Sequence, residues 1–260
     1  MMQTIPITRA DTPLRFDDRP VPKRVGLVVL ATDHTSEPDF RRMVAGEAVG
    51  VYTARIAYAN PTTPENLRRM QPRLEEGAAL ILPDEDLDVV VYSCTSASVV
   101  MGDEVVEQAI RNAKPGVPVL TPPSAARLGL KAFGAKRIAV LTPYTEETAR
   151  PMAAYFAGHG LDIARFTYLG LDDDRVMARL TPDSLVQAAV EAMPADAEAL
   201  FVSCTALRSA LVARRIEEAI GRPVVTSNQA TAWAALRLCG DDHPRPEFGR
   251  LMTLGLPVGA

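Results

Sequence analysis

The stretch LDVVVYSCTSAS, residues 87–98, decides the fold, because it joins a fully apolar run to a cysteine and a series of small residues. A run of four to eight mostly β-branched residues is typical of a strand that is buried on both faces. The small polar residues that follow Cys94 suit the start of a helix. The stretch therefore predicts a buried parallel strand with Cys94 just beyond its carboxyl end.

Similar short apolar runs recur along the chain and alternate with longer amphipathic stretches. They begin at Val25, Val51, Leu87, Val117, Arg137, Leu161, Glu198 and Arg222. One of the intervening stretches opens with Thr63-Pro64-Glu65, which is a helix-start signal. Strands that alternate with helices predict an α/β fold with parallel sheets covered on both faces.

The second half of the chain repeats the first. Ser93-Cys94-Thr95 recurs 110 residues later as Ser203-Cys204-Thr205, and the same offset aligns Thr32 with Thr142. Beyond the cysteines the offset falls to 105, where the sequence from Pro118 matches that from Pro223. Any two strand–helix units share apolar strands, but they do not share a Ser-Cys-Thr motif. We therefore expect an internal duplication.

The matched cysteines, Cys94 and Cys204, are the candidate catalytic residues. Ligands of open parallel sheets bind beyond the carboxyl ends of the strands, where both cysteines are expected. A helix that starts at each cysteine would lower the thiol pKa toward neutrality. Two facing halves would let one thiol remove a proton from a carbon while the other returns one to the opposite face. A lone buried cysteine is more often only a small apolar residue, and Cys239, which has no repeat partner, is expected in the core.

Composition and charge exclude several other classes of protein. The formal net charge is −4 and the pI is near 5.5, so the basic footprint needed for nucleic acid or an anionic membrane is absent. The sequence lacks an apolar run of membrane-spanning length and a signal peptide, which predicts a cytoplasmic protein. Neither a glycine-rich nucleotide motif nor a metal-ligand spacing occurs, so we expect no cofactor and no metal.

Five segments carry a resemblance to the aspartate/glutamate racemase superfamily: GLVVLATDHTSE, YTARIAY, VVVYSCTSAS, AVLTPYTEE and LFVSCTALRS. Within it, the chain resembles the branch of maleate cis-trans isomerases and arylmalonate decarboxylases, and most of all the ectoine-utilisation proteins of that branch. The resemblance covers about residues 24–240. It implies two pseudo-symmetric, flavodoxin-like α/β sub-domains with the active site in the cleft between them, and no cofactor.

On this basis the chain divides into four segments. We expect an N-terminal arm over residues 1–24 and a first sub-domain over residues 25–119. The second sub-domain spans residues 120–226, and residues 227–260 pack back on the first. The arm and the tail could pack on a second subunit, which leaves a homo-oligomer open.

The resemblance also implies roles for individual residues. Cys94 and Cys204 match the catalytic pair, whereas decarboxylases of the branch keep only the second cysteine. Tyr144 matches a tyrosine that binds a substrate carboxylate. Backbone N–H groups near the cysteines would hold the same carboxylate; they belong to Thr95, Ser96, Thr205 and Ala206.

Asp33 departs from the branch pattern, because maleate isomerases carry an asparagine there. A second asparagine of the pattern is missing near Asp172, Asp173 and Asp174. An ionised aspartate cannot donate to a carboxylate and would repel a diacid. Asp33 therefore suits a substrate that bears an amine, although it could equally cap a helix.

Three functions remain open from the sequence. The leading prediction is a racemase or isomerase that acts on a small amino-carboxylate, in ectoine or hydroxyectoine degradation. The second is isomerisation of a C=C bond, with Cys94 adding covalently and Cys204 acting as the acid. The third is a metabolite-binding accessory protein without turnover.

Overall fold

Two parallel four-stranded sheets form the frame of the protein in the computed structural model, which describes residues 5–259. The strands of the first sheet are β1 (Lys23–Leu30), β2 (Val49–Ile56), β3 (Val89–Tyr92) and β4 (Val119–Leu120), in the order β2-β1-β3-β4. Those of the second are β5 (Arg137–Thr142), β6 (Asp162–Tyr168), β7 (Ala199–Val202) and β8 (Val224–Thr226), in the order β6-β5-β7-β8. The predicted α/β class with two pseudo-symmetric sub-domains is confirmed.

Helices cover both sheets. They are α1 (Ser36–Met43), α2 (Pro64–Arg68), α3 (Gln71–Ala79), α4 (Thr95–Met101), α5 (Asp103–Ala113), α6 (Pro122–Ala132), α7 (Glu146–Gly158), α8 (Asp174–Met177), α9 (Pro182–Ala192), α10 (Ala213–Ile220) and α11 (Ser227–Leu238). Short 3₁₀ helices span Arg208–Leu211, Pro246–Phe248 and Arg250–Thr253. The predicted start of α2 is confirmed, since the Thr63 hydroxyl accepts from the Asn66 N–H and Pro64 needs no hydrogen-bond partner.

The strand registers confirm the duplication but correct its offset. Val28 of β1 pairs with Tyr92, and Leu141 of β5 pairs with Val202. Tyr92 and Val202 lie 110 positions apart, as predicted, but Val28 and Leu141 lie 113 apart. The predicted match of Thr32 with Thr142 is therefore wrong by three residues. Short apolar strands resemble each other at several shifts, so only the Ser-Cys-Thr motif fixed the alignment.

Two helices cross between the halves. α11 follows β8 of the second sheet and packs against α1, β3 and β4 of the first. α6 follows β4 of the first sheet and packs against β8 of the second, and its Gly129 makes room for Leu251, which a Cβ would approach to 3.2 Å. Each sheet is thus covered in part by a helix from the other half. The sub-domain boundaries stay a prediction.

The C-terminal segment packs on α11. Leu251 and Met252 are fully buried. The Trp233 indole donates to the Leu254 carbonyl at 2.7 Å, and the buried Arg237 guanidinium donates to the same carbonyl at 2.9 Å. At the other end, residues 5–22 form neither helix nor strand, and residues 1–4 of the predicted arm lie outside the described residues. Within residues 5–259, no helix is long and apolar enough to span a bilayer.

Close packing of α3 on β2 generates a stability prediction. A Cβ atom added at Gly77 would lie 2.5 Å from Cγ2 of Ile56. We expect Gly77→Ala to destabilise the fold by about 1–2 kcal/mol, because overpacking outweighs the gain in helix propensity. Urea unfolding measures the change.

Gly158, at the end of α7, is the matched control, because a Cβ there meets nothing within 4 Å. Gly158→Ala should leave stability unchanged or raise it by up to about 1 kcal/mol. Equal effects of the two substitutions would contradict the close approach at Gly77.

Candidate active site

Cys94 lies just beyond the carboxyl end of β3, at the N-cap position of α4, as predicted. Its backbone carbonyl accepts from the Ser98 hydroxyl at 2.7 Å and from the Ser98 N–H at 3.1 Å. Only 4% of the residue is exposed, and its Sγ lies 3.9 Å from the Ser96 hydroxyl. The first turn of α4 therefore holds this thiol rigidly.

Cys204 lies beyond the end of β7, but the predicted helix start at this cysteine is wrong. The next 3₁₀ helix begins at Arg208 and the next α-helix at Ala213. Cys204 itself has φ +103°, in the left-handed region that L-residues rarely adopt. Its Sγ accepts from the Ala206 N–H at 3.3 Å. A strained turn, and not the start of a helix, therefore orients the Cys204 thiol.

Both thiols line one closed cavity of about 20 Å³ in the cleft between the halves. The first half contributes Leu30, Asp33, Tyr58, Thr62, Leu67, Cys94 and Ser96, and the second contributes Tyr144, Asp174, Met177, Cys204, Thr205 and Ala206. This volume accommodates little more than one water molecule. A substrate larger than a water molecule therefore requires the side chains that line the cavity to make room for it.

Hydrogen bonds beside the cavity join a loop of the first half to a loop of the second. The Thr62 N–H donates to the Asp172 carbonyl at 2.6 Å, and the Asn60 amide donates to an Asp174 carboxylate oxygen at 2.7 Å. Thr32 donates to the other oxygen of Asp174. The Thr148 hydroxyl donates to the Thr62 carbonyl at 2.8 Å. These contacts join the two halves directly above the thiols.

Burial raises the pKa of both thiols, which overturns the expectation that helix ends lower them. Desolvation raises the pKa of Cys94 to about 11, and the N–H of Ala97 offsets only part of this. Desolvation likewise raises the pKa of Cys204 to about 12, against the opposing effects of Tyr144 and Ala206. The electrostatic effect of one helix end is smaller than the loss of water around a fully buried thiol. Both cysteines are therefore thiols at neutral pH.

Two tyrosines reach the cavity. Tyr144 is 3% exposed, and its hydroxyl interacts with Cys204 and Ser96. Tyr58, which the sequence did not single out as a site residue, donates to the Thr62 hydroxyl at 2.8 Å. Desolvation raises the pKa of both tyrosines, so both keep the proton that a substrate oxygen can accept.

Asp33 lines the cavity but also caps α1. One of its oxygens accepts from the N–H groups of Thr35 and Ser36 at 2.9 and 2.8 Å. The other accepts from the Ser36 hydroxyl at 2.7 Å. Desolvation raises the pKa of its carboxyl above the ordinary value. The side chain therefore lines the cavity and also bonds the backbone that opens α1, whereas its predicted contact with a substrate amine stays a prediction.

Asp174 is the carboxylate that the sequence did not single out. The resemblance pointed to this region, because the branch carries an asparagine near residues 172–174 that this chain lacks. It did not indicate which of the three aspartates faces the cleft. The structure selects Asp174, which is 7% exposed and lines the cavity. The negative charge of Asp174 contributes to the raised pKa values of Cys94 and Cys204.

The remaining predicted residues divide into cavity and support positions. Ser96, Thr205 and Ala206 line the cavity. Thr95 is fully buried, and its hydroxyl lies 2.9 Å from the Ser227 hydroxyl instead of facing the cavity. The Thr205 hydroxyl donates to the Ser93 carbonyl at 3.3 Å, and so links the two cysteine segments.

The cavity contains two carboxylates, Asp33 and Asp174, and no basic group among its described lining residues. None of the described residues that line it is Lys, Arg or His. A bound carboxylate would therefore have to accept from neutral donors, namely hydroxyl and backbone N–H groups. Among residues 5–259, no group of three or more potential metal ligands was found.

Comparisons with known proteins agree on one family. The model of the arylmalonate decarboxylase family matches residues 51–252. Arylmalonate decarboxylase of Bordetella bronchiseptica is 31% identical over 238 residues, which cover 89% of this chain and 93% of the relative.

Two solved structures share the fold over nearly their whole length. The maleate isomerase Iso from Pseudomonas putida has a TM-score of 0.80 at 26% identity, covering 89% of this chain and 98% of that one. The Nocardia farcinica maleate cis-trans isomerase, a cysteine-to-serine mutant with a covalently bound succinylcysteine intermediate, has a TM-score of 0.80 at 25% identity with the same coverage.

The raised thiol pKa values predict slow alkylation at neutral pH. Iodoacetamide should label Cys94 at pH 7 about a hundredfold more slowly than a free cysteine peptide, because the thiolate is that much rarer. The Cys94 rate should rise with pH toward about 11, and that of Cys204 should level off later, toward about 12. Peptide mapping by mass spectrometry measures each site. A plateau of either rate near pH 7 would contradict the desolvated cavity.

Proposed function

Since the chain belongs to the arylmalonate decarboxylase family, we propose that it is a cofactor-independent isomerase that moves a proton between opposite faces of a small carboxylate substrate. The observation that carries the proposal is the placement of Cys94 and Cys204, one from each half, on a single closed cavity. Two proton-carrying groups on opposite sides of one carbon are what inversion at that carbon requires.

The thiols divide the proton transfer between them. Cys94 first loses its thiol proton to solvent, and the thiolate then takes the proton from the substrate carbon, so that the S–H bond re-forms as the C–H bond breaks. The electron pair of the broken C–H bond passes into the carboxylate as an enediolate. The S–H bond of Cys204 then breaks and protonates the carbon from the opposite face, which leaves Cys204 as the thiolate. Desolvation raises the pKa of both thiols, so either can hold its proton until the other has reacted. The opposite enantiomer of the substrate reacts by the same steps in reverse, with the roles of the two thiols exchanged.

Neutral donors stabilise the enediolate charge. The hydroxyls of Ser96 and Tyr144 lie beside the thiols, and Tyr144 stays protonated because burial raises its pKa. In a cavity that excludes water, such donors act in a low dielectric and interact strongly with a developing negative charge. The backbone N–H groups of the two cysteine segments are the further candidates for this role.

Isomerisation of a C=C bond is the second candidate, and the succinylcysteine intermediate of the Nocardia relative favours it. Cys94 would add to one alkene carbon while Cys204 protonates the other. Rotation about the new single bond and reversal of the addition would release the other isomer. Decarboxylation is less favoured, because the resemblance implies that decarboxylases of the branch keep only the second cysteine.

The carboxylates of the cavity support an amine-bearing substrate. Asp174 and Asp33 both line it, and none of the described lining residues carries a positive charge to balance them. A substrate ammonium would supply that charge, whereas a second substrate carboxylate would be repelled. Both oxygens of each carboxylate already accept from protein donors, at α1 for Asp33 and from Asn60 and Thr32 for Asp174, so the two side chains would attract the ammonium through their charge. A small amino-carboxylate, as in ectoine or hydroxyectoine degradation, fits this requirement.

A screen in D₂O tests the function without prior choice of substrate. Small carboxylic and amino acids are incubated with the protein, and deuterium at carbon is followed by NMR. We expect an amino-carboxylate to exchange its α-proton and change hand, and unsaturated diacids to react more slowly. If one of the compounds binds but none exchanges a proton or isomerises, the accessory-protein alternative is favoured.

The cysteine pair gives a direct prediction for variants. Cys94→Ser and Cys204→Ser should each lower kcat by about 10²- to 10⁴-fold, because each removes one proton-transfer group. Cys239→Ser is the matched control, since Cys239 caps the end of α11 and does not line the cavity. Turnover that survives the loss of either cavity cysteine would contradict the two-thiol mechanism.

The charge argument gives another prediction. Asp174→Asn keeps the shape of the side chain but removes its charge, so kcat/KM for an amino-carboxylate should fall by about ten- to a hundredfold. The same change should raise the activity with maleate, because a repulsive charge is replaced by a hydrogen-bond donor. Asp173→Asn, one residue away and outside the cavity lining, should leave the ratio of the two activities unchanged. An unchanged ratio in Asp174→Asn would remove the case for an amine.

A further inference from the structure

Ser227 joins the two cysteine segments. It is the first residue of α11 and is fully buried. Its hydroxyl accepts from the Cys204 backbone N–H at 3.0 Å and lies 2.9 Å from the hydroxyl of Thr95, the residue after Cys94. One side-chain oxygen therefore touches the backbone of one catalytic cysteine and the immediate neighbour of the other.

The position of this oxygen is itself fixed. Thr226 and Gln229 form a reciprocal capping box, in which each side chain bonds the backbone N–H of the other residue. The start of α11 is thus rigid, and Ser227 cannot shift to follow either cysteine.

Cys204 needs such support because its backbone is strained. A non-glycine residue held in a sparsely populated backbone region is strained, and it persists only where its surroundings over-determine it. Ser227 satisfies the Cys204 N–H, and the Asn228 amide donates to the next carbonyl, that of Thr205, at 3.0 Å. Thr35 donates to the same carbonyl. The first turn of α11 therefore binds both sides of the strained residue.

We propose that Ser227 is a positioning residue that sets the placement of the two thiols relative to each other. The inference rests on the proposed two-thiol function, in which each sulfur must lie on its own side of one carbon. Proton transfer depends steeply on such geometry, and displacement of a group by about 1 Å can slow a reaction about a hundredfold. Ser227 does not line the cavity and acts only through Cys204 and Thr95.

Replacement of the hydroxyl tests this role. Ser227→Ala leaves the buried Cys204 N–H without its acceptor, which lets Cys204 relax from φ +103°. We expect kcat to fall about tenfold or more with little change in KM, because the cavity donors remain. Ser227→Thr keeps the oxygen and should restore most of kcat.

Thr231→Val is the matched control. Thr231 is also buried on α11, and its hydroxyl bonds only the carbonyls of Ser227 and Asn228. The loss of this hydroxyl should lower stability by a similar amount but leave kcat near the wild-type value. Equal losses of kcat in Ser227→Ala and Thr231→Val would mean that Ser227 is merely structural.

Thiol reactivity separates this proposal from the proposed function. In Ser227→Ala the pH profile of iodoacetamide labelling should shift at Cys204, whereas in Thr231→Val it should match wild type. Thr95→Val, an isosteric change, removes the link from the Cys94 side and should shift the Cys94 profile even if Ser227→Ala does not fold. Labelling needs no substrate, so absence of turnover in the wild type would overturn the proposed function alone. Wild-type labelling profiles in the folded variants would overturn the role of Ser227.

Discussion

Exclusion of water from the two thiols is the constraint on which the rest of the structure depends. Each cysteine is 4% exposed, and the cavity that they share accommodates little more than one water molecule. Desolvation keeps both protonated at neutral pH, and it makes the thiolate, once formed, a strong base. Removal of an unactivated proton from carbon requires such a base. In the proposed mechanism one of the two thiols would be that base, and both halves are needed, because each contributes one cysteine to the cavity.

The contacts between the halves serve this closure. The loop near Asn60 bonds the loop near Asp174 above the cavity, and the start of α11 joins the cysteine segments below it. The duplication makes the two sheets alike, but the thiols are not equivalent. Cys94 lies at the start of a helix, whereas Cys204 lies in a strained turn. The two thiols therefore differ in the backbone that holds them, although burial raises the pKa of both.

The strands and the cysteine pair were predictable because both follow from local patterns. Short β-branched runs mark buried parallel strands, and the repeated Ser-Cys-Thr motif placed both cysteines beyond strand ends. The three-residue shift in the first strand was not predictable, since apolar strands match at several registers. The thiol pKa direction was wrong because burial is a tertiary property, set by the opposite half. Asp174 and Ser227 became visible only when loops distant in the sequence were brought into contact.

The position of deuterium early in the reaction tests the two-thiol account most directly. In D₂O, with an amino-carboxylate of one hand, the account predicts deuterium at the α-carbon of the product while the recovered substrate still carries protium. This result follows because one thiol takes the substrate proton and the other delivers a deuteron from solvent. A product that retains the substrate's own proton, or deuterium that appears equally in substrate and product from the first turnovers, would contradict it.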